Sequence, residues 1–367
     1  MPELLELAER LIALDTSAPE AVGEAAAFVV GWLRERGIEP RAETVRDLPV
    51  LMAEVGPAGA PTIVFQGHLD VVPGFPEQFE PRREGDRLYG RGAYDMKGAL
   101  AAMLVALSGL ADQDAIRVRL GVVCDEESEE ESDRGCDFLV DSGFTGDFAI
   151  TGEPTDLHIG VAAKGVQAVR LQVEGRAAHG ATPWLGDNAV LKAYDVFRRI
   201  ETLPFAAHSS ELFDRPSINL GRIWGGDALN KVPDKCVMDV DIRYLPDQDP
   251  AEILEQIAGI PDTEVLSTFR RPPAVVDTDS VYVRTLREAV EVHHLDPVTS
   301  VGRDGASDAV SFLRAGVPAV EFGPVGSGHH GPEEWVSIDS LEAYRQALDG
   351  FVRALPERLR ERADEPA

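Results

Sequence analysis

The sequence predicts an α/β fold in which a largely parallel sheet is interrupted by an inserted second domain. Short apolar runs of strand length alternate with helical patterns up to residue 163, and the same alternation returns from residue 276. Between them, the order of the elements changes and strands with a period of two predominate. Strands that alternate with helices are typical of a sheet covered by helices. We therefore expect one domain formed by 1–163 and 276–367, and a second domain inserted at 164–275.

Length and composition limit the classes of protein. A chain of 367 residues fits two domains. Its net charge of −29 argues against nucleic-acid binding, because such proteins need basic surfaces. No apolar run reaches membrane-spanning length, and the first helix is amphipathic rather than a signal peptide, so we expect a cytoplasmic protein without a membrane partner. The three cysteines lack zinc-site spacing, which predicts reduced core thiols at Cys124, Cys136 and Cys236.

The first part of the chain supplies most of the predicted sheet. Apolar periodicity and Gly or Pro breaks set the bounds of each element. The predicted helices cover 1–13, 22–36 and 95–110, and the predicted strands cover 41–45, 50–55, 64–68, 85–89, 118–123 and 148–151.

The inserted segment predicts a separate arrangement. Its strands lie near 169–173, 217–223, 236–244 and 264–269, and its helices near 188–202 and 250–257. The resulting β-α-β-β-α-β order is the ferredoxin-like split βαβ pattern. After Pro272 and Pro273 the α/β pattern resumes, with helices from 281, 308 and 340 and strands near 298 and at 319–322.

A histidine and a carboxylate end the buried strand at 64–68. His68 and Asp70 are two residues apart, so at strand spacing their side chains point to one face. Burying such a pair costs free energy unless every polar atom has a partner. A hydrogen-bonded structural pair is one interpretation. In the other, His68 binds a metal ion and Asp70 orients the imidazole ring.

Further polar residues follow other strands or turns of the same predicted sheet. Asp95 follows a glycine-rich turn, Glu126 and Glu127 end a strand, Glu153 ends another, and His330 lies in a late loop. Each alone has an ordinary interpretation, such as a helix cap or a solvated acidic loop. Ligands of α/β sheets bind at the carboxyl ends of the strands. Together, two histidines and several carboxylates at that edge predict a dinuclear zinc hydrolase.

Five motifs in the sequence resemble one known family. They are Gly-His-Leu-Asp at 67–70, Gly-Arg-Gly-Ala-Tyr-Asp-Met-Lys-Gly at 90–98, Asp-Glu-Glu at 125–127, Gly-Glu-Pro-Thr at 152–155, and His330. Their order resembles the dinuclear zinc amidohydrolases and exopeptidases that include acetylornithine deacetylase, succinyl-diaminopimelate desuccinylase and glutamate carboxypeptidase. The resemblance covers almost the whole chain. It implies a zinc-exopeptidase-like catalytic, metal-binding domain with an inserted lid or dimerisation domain.

The resemblance also implies a metal-ligand set. One Zn²⁺ would be held by His68 and Glu153, and the other by Glu127 and His330, with Asp95 bridging both. Co²⁺ would be able to substitute for zinc. His329 competes with its neighbour for the late position, but the four-residue spacing to Glu334 selects His330.

Two further roles follow from the same resemblance. Glu126 would be the general base that takes a proton from the attacking water and passes it to the leaving amine. Asp70 would orient His68. The peptide bond between Asp95 and Met96 would be cis.

The inserted domain carries matches of its own. His179 corresponds to a histidine that family members lend across a homodimer to stabilise the oxyanion, although a surface-loop histidine is the alternative interpretation. Asn230 and Arg243 match residues that bind a substrate carboxylate, which the fork of a guanidinium suits. Ser307 is a weaker candidate of the same kind. The implied partner is a second copy of the chain, joined through the inserted domain.

Two departures narrow the expected substrate. Desuccinylases carry paired arginines where this chain has Ala163 and Lys164, and an asparagine where it has Gly326. We therefore predict a metal-dependent amidohydrolase that cleaves an N-acyl-amino acid, similar to acetylornithine deacetylase. A succinyl-diaminopimelate desuccinylase and a dipeptidase or carboxypeptidase are the alternatives. A non-catalytic ligand-binding protein on the same fold is the alternative of another class, but such a protein would need no Glu126.

Overall fold

The structure is a computed structural model that describes residues 1–128, 134–293, 298–305 and 308–364. The chain divides into two compact units. The first comprises Met1–Val161, Val276–Val301 and Ser307–Ala367, and the second comprises Ala162–Val275 and Gly302–Ala306.

The first unit begins with alternating helices and strands. Apolar stripes and Gly or Pro breaks define these elements, as the sequence predicts. In chain order they are α1 (Pro2–Ile12), α2 (Pro19–Arg34), β1 (Arg41–Val45), β2 (Leu48–Val55), β3 (Thr62–His68), β4 (Arg82–Glu84), β5 (Arg87–Tyr89), α3 (Lys97–Gly109), β6 (Arg117–Val123), α4 (Gly135–Asp141), β7 (Phe148–Thr151) and β8 (Ile159–Ala163).

The second unit follows with two helices and a four-stranded antiparallel sheet. Its elements are β9 (Gly165–Glu174), α5 (Ala189–Ile200), β10 (Ser217–Gly225), β11 (Lys235–Tyr244), α6 (Pro250–Ala258), β12 (Thr263–Arg271) and β13 (Ala274–Val275). The sheet order is β10-β11-β9-β12, which confirms the predicted ferredoxin-like arrangement. Alternate residues of β11 are buried in the core of this unit because they face its helices, namely Cys236, Met238, Val240 and Ile242.

The remaining elements belong to the first unit, except that β14 runs across the boundary between the units, as β8 does after Val161. They are α7 (Val281–Glu291), β14 (Ser300–Arg303), α8 (Ala309–Arg314), β15 (Ala319–Glu321), β16 (Gly326–Ser327), β17 (Trp335–Ser337) and α9 (Ile338–Asp364). Among the described residues, no helix combines the length and the apolar character needed to cross a membrane.

The main sheet of the first unit is parallel at its centre and antiparallel at its margins. Its order is β1-β2-β6-β3-β7-β15-β8. The pairs β6-β3, β3-β7 and β7-β15 are parallel, whereas β1-β2, β2-β6 and β15-β8 are antiparallel. The α/β fold class is therefore confirmed, and the sheet that was predicted to be largely parallel is mixed, with its parallel pairs at the centre.

The central strand β3 is apolar because both of its faces are covered. Ile63 and Phe65 pack in the core cluster that includes α3 and α9, while Val64 packs in a second cluster with residues of α4 and α8. A strand buried on both faces reads as a continuous apolar run. This run ends at His68, which is 1% exposed, so the packing of β3 holds the first candidate ligand in place.

A small second sheet places two loops of the first unit side by side. Its order is β16-β17-β5-β4. The loop between β16 and β17 contains His330, and the turn after β5 contains Asp95. The antiparallel pairing of Trp335 with Tyr89 therefore brings these loops together.

Several local expectations differ from the structure. Helix α3 begins at Lys97 rather than at Asp95, because the Lys97 amide donates to Gly92 O and the turn at 92–97 precedes the helix. The Asp95–Met96 peptide bond is cis, as the resemblance implies. Helix α4 and strand β8 are absent from the predicted elements; both are short, and such elements carry a weak periodic signal. The three cysteines are buried and free, as predicted.

Candidate metal centre

His68 is oriented by the residue that the sequence pairs with it. Its Nδ1 lies 2.9 Å from the backbone oxygen of Asp70 and 3.6 Å from that residue's Oδ1. A carbonyl oxygen only accepts, so the Nδ1 of His68 donates, and in the neutral ring its Nε2 is the nitrogen left to bind a metal ion. The orienting group is thus the backbone of Asp70 more than its carboxylate.

The Asp70 carboxylate has a different task. Its Oδ1 accepts from the backbone N–H of Glu126 at 3.2 Å, and its Oδ2 accepts from that of Glu127 at 2.8 Å. These bonds tie the end of β6 to the end of β3. Asp70 therefore positions three candidate site residues at once.

Asp95 lies between two histidines. Its Oδ1 is 3.2 Å from His68 Nε2, and its Oδ2 is 3.6 Å from His330 Nε2. Each carboxylate oxygen thus faces a different imidazole. This is the arrangement that a carboxylate shared between two metal ions requires.

The remaining predicted ligands complete two groups around Asp95. Glu153 Oε1 is 4.0 Å from His68 Nε2, and Glu127 Oε1 is 2.9 Å from His330 Nε2. In each of three groups, the possible ligand atoms lie within 4.8 Å of one another. The groups are His68, Asp95 and Glu153; Asp95, Glu127 and His330; and His68, Glu126 and Glu127. Because Glu126 also joins a group, distance alone does not separate a base from a ligand.

The buried carboxylates of the candidate site need positive charge nearby to stay ionised. Burial and the neighbouring charges of Asp95 and Glu126 raise the pKa of Glu153 well above its usual value. Among the described residues, no group hydrogen-bonds to Glu153 Oε1. Burial also raises the pKa of Glu126 to about 8. A crowded set of buried carboxylates with an unpartnered oxygen is stabilised by bound cations.

The pKa values of the two histidines are also raised, but by neighbouring carboxylates rather than by burial. Burial lowers the pKa of His68, but its hydrogen bond with Asp95 and the charge of Asp70 outweigh this and raise the pKa well above its usual value. Hydrogen bonds with Asp95 and Glu127 raise the pKa of His330 to about 10. Two imidazoles and three carboxylates are a donor set that zinc accepts, so these residues fit a dinuclear metal centre.

The sequence did not predict a buried ion pair next to Glu126, formed by Arg134 and Asp308. Arg134 Nη2 donates to the backbone oxygen of Glu126 at 2.6 Å and lies 3.8 Å from the carboxylates of both Glu126 and Asp308. Gln66 Nε2 donates to Asp308 Oδ2 at 2.8 Å. A polar Gln66 inside an apolar strand was a usable signal of buried polar contacts, whereas nothing local marks Arg134.

His179 and Asn230 lie close together in the second unit. The backbone N–H of Gly180 donates to Asn230 O at 2.7 Å, and the backbones of His179 and Lys231 form an isolated antiparallel β-bridge. The Ala181 N–H donates to His179 Nδ1 at 3.0 Å. That nitrogen accepts, so the proton of the neutral ring is on Nε2 and this exposed side chain presents an N–H donor.

Arg243 and Ser307 are the other residues predicted to bind the substrate carboxylate. Arg243 lies on β11, and its Nε is 3.0 Å from Asp241 Oδ2. Its side chain is 31% exposed, so part of the guanidinium reaches solvent. Ser307 lies outside the described residues.

Comparisons with known proteins identify the family of the chain. Residues 64–354 match the family model described as Peptidase family M20/M25/M40. A succinyl-diaminopimelate desuccinylase of Stenotrophomonas maltophilia is 30% identical over 381 residues, which cover 98% of this chain and 100% of that protein.

Two solved structures share the fold. The M20 family metallo-carboxypeptidase Sso-CP2 from Sulfolobus solfataricus superposes with a TM-score of 0.79 at 20% identity, covering 97% of this chain and 100% of that one. The YXEP protein of Bacillus subtilis, a dinuclear metal-binding peptidase of the M20 family, gives a TM-score of 0.68 at 16% identity, covering 97% of this chain and 98% of that one. The match to the family model covers most of the chain and confirms the resemblance that the sequence motifs indicate. The chain belongs to Peptidase family M20/M25/M40 and is a metal-dependent hydrolase.

Proposed function

We propose that the protein hydrolyses the amide bond of an N-acyl-amino acid with the help of two Zn²⁺ ions. The observation that carries this proposal is the position of Asp95 between His68 and His330. His68 and Glu153 would hold one ion, Glu127 and His330 the other, and Asp95 both. Bound zinc supplies Lewis-acid chemistry, which lowers the pKa of water and polarises a carbonyl group.

Glu126 is the residue that we assign to proton transfer. It lies beside His68 and Glu127, and burial raises the pKa of its carboxyl group to about 8. A general base works best when its pKa is near the working pH. Glu126 Oε takes a proton from the attacking water and returns it to the amine that leaves. The Arg134 contact to its backbone oxygen keeps Glu126 at the end of β6.

Two acyl groups remain candidates. The 30% identity to a desuccinylase favours a succinyl group. Against this, Ala163 and Lys164 stand where desuccinylases carry paired arginines, and Lys164 Nζ is already bonded to Arg215 O at 2.7 Å and paired with Asp304 at 2.6 Å. Lys164 therefore replaces one of these arginines with an ammonium group that is already paired. This favours an acetyl group over a succinyl group, and the acetylated substrate is our first choice.

A substrate panel tests the proposed function. The zinc-loaded and cobalt-loaded protein is assayed with N-acetyl-amino acids, N-succinyl-amino acids and dipeptides, and the released amine is measured. We expect the highest kcat/KM with an N-acetyl-amino acid. A preference for succinylated substrates would replace the acetyl assignment. A preference for dipeptides, or no hydrolysis of any of them, would contradict the proposed reaction.

We also propose that the second unit joins two copies of the chain. Strand β10 is an edge strand of its sheet, and edge strands offer unpaired backbone groups to a partner. Large apolar side chains are exposed on α5 and on the face of β10 that is turned towards it, namely Leu191 at 66%, Tyr194 at 56% and Ile223 at 41%. Exposed apolar side chains of this size are typical of a protein–protein interface.

In such a dimer, the partner subunit's His179 would donate to the carbonyl oxygen as negative charge develops on it. Removing one such donor costs about 10²- to 10³-fold in kcat, and we expect this loss for His179→Ala, measured with saturating substrate. The matched control is His208→Ala, an exposed histidine of the same unit that pairs with Asp247, and it should keep full activity.

Subunit exchange decides where His179 acts. Inactive His179→Ala chains are mixed with inactive Glu126→Gln chains, and exchange is followed by mass spectrometry. If His179 acts across the dimer, a mixed dimer contains one intact site and activity returns. If the exchanged mixture stays inactive, His179 does not act in the site of the partner subunit.

A further inference from the structure

The carboxylate of Glu334 fills the inside of the turn that carries Asp95. Its Oε1 accepts from the backbone N–H groups of Tyr94 and Asp95, each at 3.0 Å. Its Oε2 accepts from the Gly92 N–H at 3.0 Å and from Arg91 Nη1 at 2.8 Å. The Glu334 side chain is only 1% exposed. Four donors therefore satisfy both oxygens of a carboxylate that is shut off from water.

Arg91 extends this contact to the loop that carries His330. Its Nη2 donates to His330 O at 3.3 Å, and its side chain is 4% exposed. The Gly90 N–H donates to the backbone oxygen of Glu334 at 3.0 Å. Gln78 adds a third link, because it accepts from the Arg91 N–H at 2.8 Å and its Nε2 donates to Gly331 O at 2.9 Å.

These contacts join two segments that each contain one candidate ligand. Residues 90–95 end in Asp95, and residues 330–334 begin with His330. Both ligands belong to the group completed by Glu127, in which His330 Nε2 is 3.6 Å from Asp95 Oδ2. The backbone N–H of Asp95 is itself bonded to Glu334. A movement of Glu334 would therefore shift the backbone of one ligand relative to the other.

We propose that Glu334 and Arg91 set the distance between Asp95 and His330. We call this ion pair, together with its bonds to residues 92–95 and 330, the clamp. Both residues act as positioning residues for the metal ion held by Asp95, Glu127 and His330. The inference rests on the dinuclear centre of the proposed function and not on the acyl group. A wrong substrate assignment would therefore leave it unchanged.

A purely structural ion pair is the competing explanation. A buried charged pair that loses one partner destabilises a protein wherever it lies. The two explanations differ in metal binding. A positioning pair controls the affinity and the geometry of one ion, whereas a structural pair changes the unfolding temperature alone.

Two variants separate these explanations. Glu334→Gln keeps the size of the side chain, but its NH₂ group would face N–H donors and lose the hydrogen bonds of that oxygen. Arg91→Lys keeps the charge but lacks the fork that reaches both Glu334 and His330. The matched control is Val290→Ala, since Val290 is 1% exposed in the core of the same unit and lies on α7, which carries no candidate ligand.

The measurement is a Co²⁺ titration of each metal-free protein, followed by visible absorption, with the unfolding temperature of each metal-free form recorded. Partners that orient metal ligands typically contribute about 10- to 100-fold to metal affinity. We expect a loss of this size for one of the two Co²⁺ ions in Glu334→Gln and in Arg91→Lys, with a changed absorption spectrum. Val290→Ala should unfold at a lower temperature and bind both ions as the wild type does.

Three results would overturn the proposal. One is unchanged Co²⁺ affinity and spectrum in both variants. Another is an equal loss of affinity in Val290→Ala. If Glu334→Gln does not fold, Arg91→Lys decides alone, and wild-type Co²⁺ binding in that variant would reject the clamp.

Discussion

Asp95→Ala is expected to lose both metal ions, because its two carboxylate oxygens face two different histidines. Its two oxygens lie 3.2 Å from His68 Nε2 and 3.6 Å from His330 Nε2. In the proposed centre, alanine would remove one ligand from each ion. Metal content after dialysis, measured by plasma mass spectrometry, should fall from two ions per chain to nearly none, and hydrolysis should become undetectable.

The control for this variant is an aspartate outside the site. Asp112→Ala removes a surface carboxylate that is 78% exposed and pairs with Arg353 at 3.3 Å, so it should keep both ions and full activity. Full double occupancy in Asp95→Ala would contradict the bridging role. Loss of one ion only would show that Asp95 serves a single metal.

The neighbouring variants Glu126→Gln and Glu127→Gln should differ in their effects on metal content. Glu126→Gln cannot accept a proton, but it leaves the five proposed ligands in place, so metal content should stay at two ions. General acid–base groups contribute about 10²- to 10⁴-fold to turnover, and we expect kcat to fall by that factor. Glu127→Gln should lose metal as well as activity, since its Oε1 lies 2.9 Å from His330 Nε2.

Metal content and kcat, measured on the same samples, separate the two roles. Because Glu126 also lies within ligand distance of His68 and Glu127, the opposite assignment is a real alternative. If Glu126→Gln lost metal and Glu127→Gln did not, the roles of the two residues would be exchanged. If both variants lost metal equally, neither would be a dedicated base.

The sequence was informative where function depends on the ends of strands. His68, Glu126, Glu127 and Glu153 each follow an apolar run, and the carboxyl ends of such strands meet at one edge. The structure brings these residues together with Asp95 and His330. Their order along the chain therefore contained most of the candidate site. Their roles as base and ligands stay predictions.

The residues that support the site could not be predicted in this way. Glu334 bonds to Arg91 across 243 positions of the chain, and Gln66 bonds to Asp308 across 242. Periodicity and local motifs describe neighbours in sequence, whereas these bonds depend on how loops meet after folding. For the same reason, the pairing of Trp335 with Tyr89 in the small sheet could not be predicted, although a strand at 85–89 was.

The antiparallel margins of the main sheet were missed for a related cause. Strand β2 joins β6 through an antiparallel pairing, and β8 joins β15 in the same way. Apolar runs reveal that a strand is buried, but not the direction of its neighbour. Strand direction depends on connections that only the folded chain fixes.

Anomalous diffraction from crystals of the zinc-loaded protein would show whether two zinc ions share Asp95. Data collected on both sides of the zinc absorption edge locate each ion without reference to activity. We expect two peaks roughly 3.5–4 Å apart, as in other two-metal sites, with one oxygen of Asp95 next to each. His68 and Glu153 should contact one peak, and Glu127 and His330 the other. A single peak, or two peaks that do not share Asp95, would contradict this prediction.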